Sequence, residues 1–265
     1  MKKSIFFNHL LDMSRQENQP IEKAVEFAAN LGFAGADVIW STPEKLFETY
    51  ELLKAFGIHV AEVTRFIELS SILDEDDVRQ YLDSLSKCDC KIAMIIPDNR
   101  PDDKIFATVC ENIARICEIA EGYNISVSVE DFDSADVIIS NTTSIKSAFE
   151  KVPKFRHSLD TGNYAFFKES PVEAYELFGD RIIHVHLKDR AFSPTDNENP
   201  MPLADGTIAY PCALGDGFVE IETVLKLLSK DGYDGYLSVE HFGMNNMKKA
   251  IQRSSEYLDK LFLNL

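Results

Sequence analysis

The chain has 265 residues, close to the size at which one α/β barrel forms a single domain, and a second full domain would be crowded out. Hydrophobic residues make up 45% and charged residues 27%, which supplies a large core and argues against disorder. The formal net charge of −17, with no Lys/Arg cluster, would repel a nucleic-acid backbone, so no nucleic acid is expected as a partner.

The opening residues Met1-Lys2-Lys3-Ser4-Ile5-Phe6-Phe7 carry too short an apolar run for a signal peptide. No stretch of 18 apolar residues follows, so no membrane span is expected and the cytoplasm is the expected location. The five cysteines are an odd number, and Cys110 and Cys117 fall inside a helical pattern, which speaks against a disulfide framework. Cys88-x-Cys90 lacks a second pair and reads as structural.

Short β-rich runs alternate with amphipathic stretches along the whole chain. Residues 4–8 read as a first strand, followed by a helix over 20–31. Strands at 35–40, 58–64, 90–96, 125–130, 155–160, 181–187 and 235–240 alternate with helices at 43–56, 75–87, 103–121, 143–151, 171–178, 220–230 and 246–263. Eight strand-helix repeats point to a closed (β/α)8 TIM barrel, one domain over 1–265, and the glycine-rich fingerprint of an open dinucleotide-binding sheet is missing. The one long connection, residues 188–219, is expected on the active face.

Alternation along the strands sorts side chains into the barrel or out toward the helices. In 125–130 the apolar Ile125, Val127 and Val129 oppose Ser126, Ser128 and Glu130. The same split gives an inward Asp160 above Ser158, and an inward Glu240 above Ser238. On the seventh strand His184, His186 and then Lys188 turn inward. Three carboxylates and an imidazole thus meet at the C-terminal strand ends, where such barrels carry their chemistry. Converging buried carboxylates need protons or a cation. An oxygen-rich set with one imidazole suits Mn2+ or Mg2+, with Co2+ or Zn2+ as further candidates. The plainer reading is an inert barrel in which Lys188 and Arg156 neutralise the acids, but it does not account for a histidine aligned with them.

At these residues the sequence resembles the sugar-phosphate isomerase/epimerase superfamily, the xylose-isomerase-like TIM barrels. The matching stretches are Gly32-Phe33-x-Gly35-x-Asp37, Ser128-Val129-Glu130-Asp131, Leu159-Asp160-Thr161-Gly162-Asn163, His184-Val185-His186-Leu187-Lys188-Asp189, Gly215-Asp216-Gly217 and 232–240. The resemblance implies one divalent metal held by Glu130, Asp160, His186 and Glu240. It also implies Glu130 and Glu240 as the acid/base pair of a sugar or sugar-phosphate isomerase or epimerase, moving a proton next to a carbonyl through a metal-stabilised enediolate. Lys188 is a third candidate proton-transfer group, and a similar His-x-His-x-Lys-Asp run in the family's inosose dehydratases makes a lyase the alternative. A C-glycoside deglycosylase subunit, which would need a small partner subunit, and a non-catalytic metal-binding subunit are further alternatives.

The pattern also departs from many epimerases: Asn163 stands where they place a histidine, and Phe192 where they place an arginine. The three-zinc nuclease branch needs more histidines than the six present. The candidate substrate contacts are His184, Asn163, Arg190, Trp40 and Arg65, on a small carbohydrate. His184 reads more readily as a support one layer deeper than as a ligand, and Phe7 and His9 are expected with Trp40 at the mouth. His157 and His241 fall on the outward face. A homo-oligomer is expected by analogy.

Overall fold

Eight parallel strands close on themselves in the order β1-β11-β7-β6-β5-β4-β3-β2 in a computed structural model that describes residues 1–264. Residue 265, the last of the expected domain, lies outside the described residues. The barrel strands are β1 (Lys2–Phe6), β2 (Gly35–Ile39), β3 (His59–Ile67), β4 (Ile92–Pro97), β5 (Ser126–Glu130), β6 (Arg156–Asp160), β7 (Ile182–Leu187) and β11 (Tyr236–Val239). The chain is a single TIM barrel, as the strand-helix alternation predicts.

Around it run α1 (Phe7–Gln16), α2 (Ile21–Asn30), α3 (Pro43–Ala55), α4 (Glu75–Lys87), α5 (Asp103–Glu121), α6 (Thr142–Lys151), α7 (Pro171–Phe178), α8 (Ile221–Lys230) and α9 (Met247–Phe262). Helix α1 is not among the helices expected from the sequence. It follows β1 directly, so the first strand ends at Phe6 rather than at residue 8, and its buried residues Phe7, His9, Leu10 and Met13 form the apolar stripe that docks it. Elsewhere helix starts follow local chemistry: Asn141 and Ser144 make a reciprocal capping box on α6, and the Asp102 side chain accepts the Lys104 N–H at α5.

Strand parity puts the hydrophobic core outside the barrel wall. Ile5, Ala36, Val63, Ala93, Ile95, Val127, Val129, Leu159, Val185, Leu237 and Val239 pack outward against the helices, all essentially inaccessible to water. Each such aliphatic side chain larger than alanine contributes about 1.5–3 kcal/mol by leaving water. The interior is polar by contrast, lined by Ser4, Asp37, Glu62, Ser128, Ser158, His184 and Ser238 at the lower level. Register sets the neighbours: Asp37 lies beside Glu62 where the β2–β3 pairing shifts by a residue, and Asp160 lies beside His186.

The long connection 188–219 carries its own structure. Strands β8 (Asp189–Ala191), β9 (Met201–Pro202) and β10 (Ile208–Cys212) form a small antiparallel sheet in the order β8-β10-β9. Asp189 anchors it: one carboxylate oxygen accepts the Gly215 and Gly217 N–H groups at 2.9 and 3.1 Å, and the other those of Arg190 and Val219 at 2.8 and 3.2 Å. A Cβ at Gly217 would stand 2.1 Å from Asp189 Oδ1, so only glycine allows this approach. Among the described residues no helix is long and apolar enough to cross a membrane.

Candidate metal centre

At the C-terminal strand ends, β5, β6, β7 and the residue after β11 bring Glu130, Asp160, His186 and Glu240 together. One donor atom from each lies within 4.8 Å of all the others, and all four residues are buried. His186 Nδ1 is 2.6 Å from Glu130 Oε1 and 3.7 Å from Glu240 Oε2, so the two glutamates face the same ring nitrogen. Asp160 is oriented from behind, because its Oδ1 accepts the N–H groups of Gly162 and Asn163 at 2.7 and 2.8 Å.

Lys188 enters from the strand end above His186. Its Nζ donates to Asn163 Oδ1 at 2.6 Å, forms an ion pair with Glu240 and lies 3.3 Å from Asp160 Oδ2. The lysine stem crosses Gly162, where a Cβ would meet Lys188 Cγ at 2.7 Å. With all three carboxylates ionised and His186 neutral, as ligation requires, one ammonium leaves two negative charges in a buried site, which a divalent ion would neutralise.

The protonation energetics agree with that excess of charge. Burial pushes the Glu130 carboxyl up to about 7 against the pull of His186. Burial likewise holds Glu240 well above the usual carboxylate range, although Lys188 opposes it. Burial also works against ionised Asp160, but Lys188 and His186 outweigh it and hold Asp160 below its ordinary value. Asp160 Oδ2 and Glu240 Oε2 are buried without a hydrogen-bond partner. Carboxylate oxygens without a hydrogen bond, one of them only in ion-pair range of Lys188, fit a hard divalent cation at a four-donor cluster.

The xylose isomerase-like TIM barrel family model matches residues 25–261. The chain belongs to that family. An inosose dehydratase of Clostridium botulinum (strain Eklund 17B / Type B) is 34% identical over 84 residues, which are 31% of this chain and 28% of that protein. The chain thus spans less than a third of that curated relative. Among solved structures, a D-allulose 3-epimerase from Methylomonas sp. superposes with a TM-score of 0.74 at 15% identity, over 98% of both chains. The IOLI protein with a bound zinc atom gives 0.75 at 15% identity, over 100% of this chain and 99% of that one. Likeness at such identity establishes the shared fold.

This xylose isomerase-like barrel holds above the cluster a cavity of about 340 Å3. Glu130, Glu240, Lys188, Asn163 and Arg190 are among its polar lining, with Asp133 and Thr64, and Phe6, Phe66, Phe132 and Phe242 are among its apolar walls. Arg190 reaches the cavity through a pair with Asp133 at 2.6 Å. Asn163 donates its amide to Asp131 O at 2.8 Å while receiving Lys188.

Three expected substrate contacts lie elsewhere. His184 sits one layer below the cavity, fully buried and 2.8 Å from Asp37 through Nε2. Arg65 has outward parity because β3 runs on to Ile67, so its guanidinium pairs with Asp77 of α4 and covers the Tyr81 ring. Trp40, outward by the same alternation that turns Ile39 inward, meets Tyr81 edge-on at 5.1 Å and lines a separate cavity with Phe7 and Asn8. Phe7 and His9 belong to α1 rather than the mouth, and His9 Nε2 accepts the His241 N–H at 2.7 Å.

Two interior acids were not singled out from the sequence as site residues. Asp37 and Glu62 lie under His186, with Asp37 Oδ2 at 3.3 Å and Glu62 Oε1 at 3.0 Å from its Nε2. The alternation used on β5, β6, β7 and β11 would have found both: Glu62 shares its face with Val60 and Thr64, and Asp37 with Gly35 and Ile39.

Proposed function

We propose that this barrel is a metal-dependent enzyme that moves a proton at the carbon next to a carbonyl in a small polyhydroxylated substrate, as an isomerase or epimerase does. The observation that carries the reading is the pair Glu130 and Glu240, both buried, both facing His186 Nδ1 and both open to the cavity. Glu130, Asp160, His186 and Glu240 would hold one divalent ion. When bound, that ion supplies Lewis acidity to a carbonyl oxygen and its neighbouring hydroxyl.

One glutamate takes the proton from carbon, and the other returns one. Each such group is worth about 10²–10⁴-fold in rate. Asn163 and Arg190 orient oxygen atoms of the substrate, and the phenylalanine walls exclude water.

Dehydration is the second reading, and Lys188 is the observation that favours it. Its ammonium contacts Glu240 and Asn163 at the cavity floor, placed to give a proton to a departing hydroxyl while a glutamate takes the proton from the adjacent carbon. Similarity to an inosose dehydratase supports this reading, and likeness in fold to an epimerase is compatible with the first. Proton NMR of candidate ketoses and inososes in D2O, with metal-loaded and chelator-treated protein, tests both. Exchange next to the carbonyl with epimer formation supports the first; loss of water supports the second. Neither change, with Glu240→Gln indistinguishable from wild type, would overturn both.

A further inference from the structure

Under the candidate metal centre lies a second group of buried donors, Asp37, Glu62, His184 and His186, which shares His186 with the first. The imidazole forms the floor between them. Its Nδ1 faces upward to Glu130 at 2.6 Å, and its Nε2 faces downward to Glu62 Oε1 at 3.0 Å.

The two levels differ in how their oxygens are satisfied. In the upper cluster Asp160 Oδ2 and Glu240 Oε2 have no hydrogen-bond partner. In the lower one every carboxylate oxygen has one. Glu62 Oε2 accepts from Ser158 Oγ and, at 3.4 Å, from Ser128 Oγ. Asp37 Oδ1 accepts from Ser4 Oγ at 3.3 Å, and Asp37 Oδ2 meets His184 Nε2 at 2.8 Å. The lower carboxylates therefore form a hydrogen-bonded bracket under His186, with His184 Nδ1 left without a partner, and the serines one layer below the acids of β5 and β6 hold Glu62 from behind.

We propose that Glu62 is a positioning residue for the metal centre: clamped by Ser128 and Ser158, it accepts His186 Nε2–H and so presents the Nδ1 lone pair upward to the ion. The proposal rests on the reading of His186 as a ligand. An imidazole has one proton for two nitrogens when neutral, so a fixed acceptor under Nε2 decides which nitrogen is free. It also fixes the ring plane and raises the basicity of the ligating nitrogen, a role whose removal typically costs about 10–100-fold in metal affinity. Asp37, shared between His184 and His186, supports the same orientation from the side.

The test uses Glu62→Ala, Glu62→Gln and, as a control on the centre itself, Asp160→Ala, each checked for folding by circular dichroism. Mn2+ and Zn2+ affinity and stoichiometry are measured by competition with a chelator. In the Zn2+-loaded wild type, 15N NMR of labelled histidines reads which His186 nitrogen carries the proton. The expected result is one ion per chain, a proton on Nε2, about 10–100-fold weaker binding in Glu62→Ala and a smaller loss in Glu62→Gln, which keeps an acceptor oxygen. Wild-type affinity in Glu62→Ala, while Asp160→Ala abolishes binding, overturns the positioning role and leaves the metal centre standing. A proton on Nδ1, or two ions per chain, also overturns it. Unchanged binding in Asp160→Ala overturns the metal centre and this role together. If Glu62→Ala does not fold, the wild-type NMR and stoichiometry still decide.

Discussion

Lys188 Nζ donates to Asn163 Oδ1 at 2.6 Å, and the Asn163 main-chain N–H donates in turn to Asp160 Oδ1 at 2.8 Å. The one ammonium of the site is thereby tied to the same aspartate that would hold the ion. Replacing it by Lys188→Met leaves buried acids without their cation, a loss of about 3–5 kcal/mol in metal-free protein. The expected outcome is a lower denaturation midpoint in chelator, largely restored by a divalent ion, and activity lowered in both. Gly162→Ala, which would put a Cβ against the Lys188 stem, is expected to lower activity through the displaced ammonium while the barrel still folds.

Metal binding should register as stability. At an ion concentration 100 times its dissociation constant, binding to the folded chain alone adds about 2.7 kcal/mol. In a chain of this size that raises the melting temperature by roughly 5–10 °C. Thermal melts with EDTA and with added Mn2+ or Zn2+ measure the difference. Asp160→Ala should erase it, and an equal shift in that variant would count against the four-residue centre.

The two arginines separate the cavity from the barrel exterior. Arg190→Ala should raise KM at least tenfold, since its guanidinium lines the cavity beside Asp133. Arg65→Ala should leave KM and kcat near wild type and lower stability by about 1 kcal/mol, as its contacts are with Asp77 and Tyr81. Steady-state kinetics with the substrate found by NMR distinguishes them.

His157 gives the protein a pH dependence independent of activity. It lies on the outward face of β6, where Nδ1–H donates to Val129 O and Nε2 accepts from Tyr164 OH, both at 2.9 Å. Burial lowers its pKa from 6.5 to about 4. Between those values the unfolded chain binds the proton and the folded one does not, so stability falls as pH drops from 6.5 toward 4. The contribution is about 3 kcal/mol. Urea melts at pH 7 and pH 4.5 should show a larger acid loss in wild type than in His157→Gln, and equal losses would refute the assignment.

Much of this could be read along the chain because a barrel strand converts sequence parity into direction. Glu130, Asp160, His186 and Glu240 each stand opposite an aliphatic neighbour, and the structure brings them together. Glu62 follows the same rule, yet its strand carries no motif to draw attention to it. Arg65 and Trp40 sit near strand ends, where β3 runs three residues past its expected end and β2 stops one short, and both keep the outward parity of their strands. Helix α1 hides in a ten-residue stretch whose first residue, Phe7, continues the apolar run of β1. The pairing of β8 with β10 rests on contacts between residues 19 to 23 positions apart, which no local pattern reports.

Asp189 and Lys188 are consecutive, and they face opposite tasks. The carboxylate gathers four backbone N–H groups from the ends of the 188–219 segment, while the ammonium one residue earlier sits among the acids at the cavity floor. One peptide unit therefore links the cover of the cavity to its charge balance. A displacement of the Asp189 anchor would therefore be carried to the ammonium through that single peptide unit.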